Sequence, residues 1–157
     1  GKILAGKVGY QGPKYAKPDP SYEAVCTGAT GHVEVYNFEF EGDADTYRKL
    51  VKHFFMFHDP TTANRQGNDQ GTQYASAIFC YGEEQCEIAQ SVKSELQGLL
   101  DMKAFSPYVE DKVTTQIINA ESASEFYDAE SYHQKYLEEN PGGYCNHFYR
   151  FQSWPTV

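Results

Sequence analysis

Residues 31–58 read GHVEVYNFEFEGDADTYRKLVKHFFMFH, and this run decides the fold class. From His32 to Phe40 the side chains alternate between two faces. One face holds His32, Glu34, Tyr36, Phe38 and Phe40; the other holds Val33, Val35, Asn37 and Glu39. That is the period of a β-strand. Apolar residues on both faces predict an interior strand, covered on one side and partly on the other. The period then changes. Tyr47, Leu50, Val51, Phe54 and Phe57 recur at helical spacing. Asp45 is the predicted N-cap, the helix runs to about His58, and Asp59-Pro60 stops it.

Working outward, Lys2 to Tyr10 reads as a strand with imperfect alternation. A loop from Gln11 to Tyr22 follows, broken by Gly12, Pro13, Pro18 and Pro20. On the other side, Thr61 to Gly71 is polar and rich in turn formers. Gln73 to Tyr81 reads as a buried strand ended by Gly82. Glu83 to Leu100 is a helix with Cys86, Ala89, Val92, Leu96 and Leu99 on one stripe. A short strand is expected over Val113 to Ile118, and a last helix over Ala129 to Glu139, before Pro141-Gly142-Gly143. From Tyr144 the chain has no period. There is no internal repeat or linker. The prediction is a single α/β domain over residues 1–157, helices packed on a mixed β-sheet, with 146–157 as an irregular tail.

Composition narrows the function. A chain of 157 residues suits one domain with a real core. No stretch approaches the roughly 18 consecutive apolar residues of a membrane span. The net charge is -9 with 13 Lys+Arg, so the basic footprint of a nucleic-acid binder is missing. Thirteen Tyr and ten Phe accompany a single Trp, material for a core or for a pocket with hydroxyl donors. The four cysteines include no Cys-x-x-Cys pair, and neither they nor the five His have metal-site spacing. Low cysteine density and no secretory pattern point to a reducing compartment. Cys26, Cys80 and Cys86 read as core cysteines. Opening on Gly1 rather than Met fits a processed chain, a tagged one or a fragment.

Three features could carry chemistry. Glu34 shares a strand face with Tyr36, Phe38 and Phe40. A carboxyl among aromatics loses hydration, its pKa rises, and it becomes a proton donor near neutral pH. The alternative is that near a strand end it reaches water and does nothing. The polar run from His58 to Tyr74 is either a site-bearing loop or an ordinary surface loop. Cys145 follows Gly142, Gly143 and Tyr144, so it is either a mobile thiol for disulfide exchange or a spare surface thiol.

A set of segments narrows these alternatives. They are Val8-Gly9-Tyr10, Pro20-Ser21-Tyr22-Glu23-Ala24-Val25-Cys26-Thr27-Gly28, Gly31-His32-Val33-Glu34, the run from His58 to Tyr74, Tyr127-Asp128-Ala129-Glu130, Tyr132-His133-Gln134-Lys135-Tyr136-Leu137, and Asn140-Pro141-Gly142-Gly143-Tyr144-Cys145. In order and spacing, over residues 8 to 145, the chain resembles the A-type peptide methionine sulfoxide reductases. The resemblance implies a ferredoxin-like two-layer arrangement. It also implies thiol-dependent reduction of the S epimer of methionine sulfoxide, free or in proteins, which reverses one rung of the oxidation ladder. By resemblance Glu34 protonates the sulfoxide oxygen, and Tyr22 and Tyr74 hydrogen-bond it. Asp69 organises the site, Tyr144 joins the substrate contacts, and Cys145 is the resolving cysteine. The implied partner is thioredoxin as external reductant, with no cofactor and no metal. The implied protein is a cytoplasmic monomer, or an organellar one if a transit peptide was removed.

In this family the nucleophile lies in Gly-Cys-Phe-Trp-Gly, ahead of Val8-Gly9-Tyr10. That motif is absent from these 157 residues, whose only Trp is Trp154. The expectation is a chain inactive by itself. The alternatives are a non-catalytic binding protein that keeps the pocket, and takeover of the nucleophile's task by Cys26 or Cys86. The latter is disfavoured because both read as buried.

Overall fold

The computed structural model describes residues 1–156. In chain order the elements are β1 (Lys2–Gln11), α1 (Tyr22–Cys26), β2 (Val33–Glu41), α2 (Ala44–Phe57), β3 (Arg65–Gln66), β4 (Asp69–Gln70), β5 (Ala77–Cys80), α3 (Glu83–Asp101), β6 (Gln116–Asn119), β7 (Tyr127–Asp128) and α4 (Tyr136–Glu139). The α/β class expected from the alternating periods is what the chain adopts. Strands pair in both senses, distributed over three small sheets.

The first sheet runs β2-β1-β7, all antiparallel. β1 is therefore the middle strand, and β2, expected inside, is an edge. The aromatic face that suggested an interior strand covers itself. Tyr36 stacks on Phe38 at 5.5 Å, and Phe40 stacks on Tyr47 of α2 at 6.0 Å. β7 can close on β1 because Gly9 has no side chain. A Cβ there would lie 2.2 Å from the Tyr127 carbonyl oxygen.

β5, α3 and β6 form a crossover unit, with β5 and β6 parallel from Ala77↔Gln116 to Cys80↔Asn119. The helix α2 lies against α3. Tyr47, Val51 and Phe55 meet Ala89, Val92, Leu96 and Leu100 in the main core, which Tyr108 and Val113 extend. The stripe read from the sequence is buried at Ala89, Val92, Leu96 and Leu99. No helix among the described residues is long and apolar enough to cross a membrane.

Boundaries differ where local polar contacts compete with periodicity. α2 starts two residues early because Asp43, not Asp45, is its N-cap, accepting the Thr46 N–H at 3.0 Å. The expected strand over Gln73 to Tyr81 is a 3₁₀ turn (Thr72–Tyr74) followed by β5. The expected helix over Ala129 to Glu139 is broken. A 3₁₀ turn over Ser131–His133 is separated from α4 by Lys135, whose φ of 52° no helix accommodates. Beyond α4 no helix or strand forms up to residue 156. That segment is nevertheless anchored. Phe151 meets Phe105 edge-on at 4.9 Å, and the Trp154 indole donates to Glu95 Oε1 at 2.7 Å.

Candidate active site

A second, smaller core gathers Tyr10, Val25 and Ala129, with Val8 and Tyr22 packed on it. The polar groups of interest surround this core. Tyr10 on β1 and Glu34 on β2 are cross-strand partners, so the pleat places them on one face. The buried Tyr10 hydroxyl donates to Glu130 Oε2 at 2.9 Å, and the Tyr22 N–H donates to Glu130 Oε1 at 2.8 Å. One carboxylate thus ties β1 to the start of α1. Desolvation pushes the Glu130 carboxyl up, but the hydrogen bonds it accepts outweigh that and hold it below the usual range.

Glu34 reaches solvent, as its position near the strand end allowed. It is still crowded enough for loss of hydration to raise its carboxyl above the usual range, and the Asp69 charge raises it further. Three phenols share its field. Tyr10 is raised by burial, then by Glu130 and Glu34. Tyr74 is raised by burial, then by Glu34, Asp69 and Cys26. Tyr22 is raised first by its hydrogen bond to the Cys26 thiol, then by burial. All three stay protonated as donors, beside a carboxyl biased toward its neutral, proton-donating form.

The His58–Tyr74 run is an ordered part of this site. His58 and Asp59 are buried, and the Gln66 side chain closes a ring with Asp59: Asp59 N–H to Gln66 Oε1 at 2.9 Å, Gln66 Nε2 to Asp59 O at 2.9 Å. β3 and β4 form a hairpin whose two-residue loop starts at Gly67, with φ of 57°. The hairpin presents Asp69, and the turn after it presents Tyr74. Asp69 accepts from Asn146 Nδ2 at 2.7 Å, and loss of hydration, then the Asp69 charge, raises the nearby Tyr144 phenol.

The structure therefore brings Glu34, Tyr22, Tyr74 and Asp69 together, with Tyr144 in the field of Asp69. Cys145 is exposed, and among the described residues its hydrogen bonds stay within its own tail, the His147 N–H donating to its Sγ at 3.4 Å. Two cysteine readings are corrected. Cys26, expected in the core, is exposed beside Tyr22, because it is the last residue of a five-residue helix. Cys80 is buried as expected, but Cys86 is only half-buried and is bonded to Cys80 as a disulfide. Neither is a free core thiol. Tyr10, Glu130 and Asn146 are site residues that sequence reasoning missed; Cys26 entered it as a stand-in nucleophile, disfavoured as buried. Only the Tyr10–Glu34 register could have pointed to one of them. Among the described residues no group of three His, Cys, Asp or Glu could hold a metal ion.

Residues 2–154 match the family described as peptide methionine sulfoxide reductase. The chain is 49% identical over 138 residues to the peptide methionine sulfoxide reductase MsrA of Polynucleobacter asymbioticus, covering 87% of this chain and 66% of that protein. It is 46% identical over 151 residues to a probable peptide methionine sulfoxide reductase of Schizosaccharomyces pombe, covering 95% and 82%. Among solved structures, reduced Mxr1 from Saccharomyces cerevisiae superposes with a TM-score of 0.80 at 37% identity, covering 95% of this chain and 79% of that one. Methionine sulfoxide reductase A of Corynebacterium diphtheriae gives 0.76 at 36%, covering 91% and 66%. The chain thus spans about two thirds to four fifths of the length of these relatives.

Proposed function

The chain belongs to the peptide methionine sulfoxide reductase family, and on that premise we propose that it serves the thiol-dependent reduction of methionine S-sulfoxide, free or in proteins, to methionine. The observation that carries this reading is Glu34, a carboxyl raised by desolvation and by Asp69 beside the protonated phenols Tyr22 and Tyr74. A thiolate attacks the sulfoxide sulfur. As the S–O bond opens, Glu34 gives its proton to the oxygen while Tyr22 and Tyr74 hold that oxygen by hydrogen bonds. The new S–S bond then breaks as the oxygen passes to the cysteine sulfur, so methionine leaves and the cysteine is left as a sulfenic acid. Cys145 then attacks that sulfur, water departs, and a disulfide forms for thioredoxin to reduce. Asp69 holds Asn146, the residue after Cys145, which keeps the resolving thiol's segment at the edge of the site. The cycle draws on no metal or organic cofactor, and we place it in the cytoplasm, with the protein acting as a monomer.

The reaction needs a nucleophile in the family's Gly-Cys-Phe-Trp-Gly setting, which these 157 residues do not contain. We infer that the chain alone does not turn over and that a version extended by a segment bearing the motif does. A second reading rests on Cys26, exposed and beside Tyr22: this thiol attacks in place of the absent one. Methionine formed from each sulfoxide epimer, counted per chain, separates these. S-specific turnover by the extended version alone supports the first reading. Turnover by the chain as it stands, lost in Cys26→Ser, supports the second. An extended version inactive with every named residue intact overturns the function. In that version Cys145→Ser should form one methionine per chain and fail to cycle with thioredoxin.

A further inference from the structure

We propose that Cys80 and Cys86 are a second redox site, a dithiol–disulfide pair that peroxide oxidises, separate from the Glu34 cluster. The two are joined by a disulfide with Cα atoms 5.2 Å apart, inside the range a bridge spans without backbone movement. Rigid elements hold both residues at that distance. Cys80 ends β5, in register with Asn119 of β6. Cys86 lies in the opening turns of α3, its N–H donating to the Gly82 carbonyl at 3.3 Å. The two sulfurs therefore stay near one another in the reduced protein, and closing the bond costs little further ordering.

Access is one-sided. Cys80 is fully buried, while Cys86 lines a shallow surface hollow with Glu87, Gln90, Ser91 and Ile117. Attack from outside must come at Cys86, with Cys80 as the resolving thiol beneath it. The surroundings select the oxidant. Glu87 lines the hollow, Glu83 and Glu84 precede it on α3, and β6 supplies no charged side chain; Arg48, which donates to Ser91 at 3.2 Å, is paired with Glu95. Anionic glutathione disulfide is repelled there; uncharged hydrogen peroxide is not. The Cys86 thiolate attacks one peroxide oxygen, the O–O bond breaks, and hydroxide leaves, giving a Cys86 sulfenic acid. The Cys80 sulfur attacks the Cys86 sulfur, the S–O bond breaks, and the departing hydroxide takes the Cys80 proton as water. Two thiols and one peroxide become one disulfide and two waters. None of the groups that shift the Glu34 cluster is Cys80 or Cys86. The turn between them touches β2 through Asn37 Nδ2, which donates to the Tyr81 hydroxyl at 3.1 Å.

The test uses the full chain, reduced, freed of reductant, treated with hydrogen peroxide and then blocked with an alkylating agent. Cleavage after Glu83 and Glu84 separates the two cysteines, so a bond between them appears as one linked peptide. The expected result is that linked peptide as the main product, retained in a Cys26→Ser/Cys145→Ser variant and lost in Cys86→Ser. Glutathione disulfide should form it more slowly, by roughly tenfold at low salt, with the gap narrowing as salt is added. The reduced chain should keep its far-ultraviolet circular dichroism. Recovery of Cys80 and Cys86 as alkylated thiols, cross-links to Cys26 or Cys145, or faster closure by glutathione disulfide overturns the proposal. So does unfolding on reduction, which would make the bond a permanent staple.

Discussion

The α2–α3 core and the Glu34 cluster are both built from aromatic rings, yet different forces hold them. In the core, Phe55, Val92 and Leu96 are wholly buried and are held by apolar packing. Around Glu34 the rings keep their hydroxyls, and carboxylates stitch the elements together: Glu130 to Tyr10 and Tyr22, Asp69 to Asn146. A carboxyl whose neutral form is favoured costs stability at neutral pH and gains reactivity. The first region maintains the fold, and the second uses some of that stability for chemistry.

The largest expected effect tests that division directly. In the extended version, Glu34→Gln should slow single-turnover methionine formation by roughly 10²–10⁴-fold. Its urea midpoint should hold or rise. The sign follows from the raised Glu34 carboxyl. Such a group adds stability below its unfolded pKa and loses that contribution as pH climbs through the folded one. Removing the charge at neutral pH therefore relieves a cost. A rate within about twofold of the parent would remove Glu34 from the mechanism.

The reverse experiment is Leu96→Ala, in the fully buried middle of α3. It should cost about 2–5 kcal/mol by urea denaturation, from lost burial plus a cavity. At temperatures where the variant stays folded, its single-turnover rate should match the parent's. A slowed chemical step in a fully folded variant would show that the two regions are not separable.

How far each region was legible in the sequence follows the same line. α2 and α3 could be read because Tyr47, Val51, Ala89, Val92 and Leu96 repeat at a period that packing enforces. β2 was legible as a strand but not as an edge, since Tyr36, Phe38 and Phe40 cover one another and mimic burial. The last helix was overread because Lys135 adopts a left-handed backbone that its side chain does not announce. In the site, Glu34, Tyr22, Tyr74, Asp69, Tyr144 and Cys145 came from resemblance. Glu34, the His58–Tyr74 run and Cys145 also had physical readings; Glu34 reaches water at the strand end, and loss of hydration raises its carboxyl. Tyr10, Glu130 and Asn146 stayed hidden because their partners lie across the fold. The Cys80–Cys86 bond hid in a strand–turn–helix junction, where each residue alone reads as core.

The next effect joins the two regions through His58. Burial lowers its pKa from 6.5 to about 4. The Phe54 carbonyl lies 2.6 Å from Nδ1 and the Ser76 hydroxyl 2.8 Å from Nε2, which suits the neutral ring protonated at Nδ1. With the folded pKa depressed, the unfolded chain binds the proton first, so stability falls as pH drops from 6.5 toward 4. The loss attributable to His58 should reach about 3 kcal/mol at the bottom of that window. Urea midpoints between pH 7 and 4, parent against His58→Gln, check this. A variant with the parent's full slope would assign the acid sensitivity to other groups.

The smallest effect asks whether the tail belongs to the core or to the site. Asn146 Nδ2 donates to the Gln66 carbonyl and to Asp69 Oδ2, both at 2.7 Å, at half-buried positions. A few residues on, the Arg150 N–H donates to the Met56 carbonyl at 2.8 Å, and Phe151 and Trp154 pack on the main core. The tail thus has a polar anchor and an apolar one. Asn146→Ala removes only the first. Hydrogen bonds to a charged acceptor contribute about 1.5–3 kcal/mol, and partial exposure reduces this one to about 1 kcal/mol. Opening of the segment around Cys145 should rise by roughly fivefold, read as faster chymotryptic cleavage after Tyr144. The Arg150 amide should keep its protection from hydrogen exchange, because the apolar anchor is untouched. Phe151→Ala should do the opposite, exposing Arg150 and leaving the Tyr144 cleavage rate nearly unchanged. If Asn146→Ala releases both ends together, the tail is one cooperative unit docked on the core. The contact to Asp69 would then hold the whole tail, and the division between a packed region and a hydrogen-bonded one would fail at this seam.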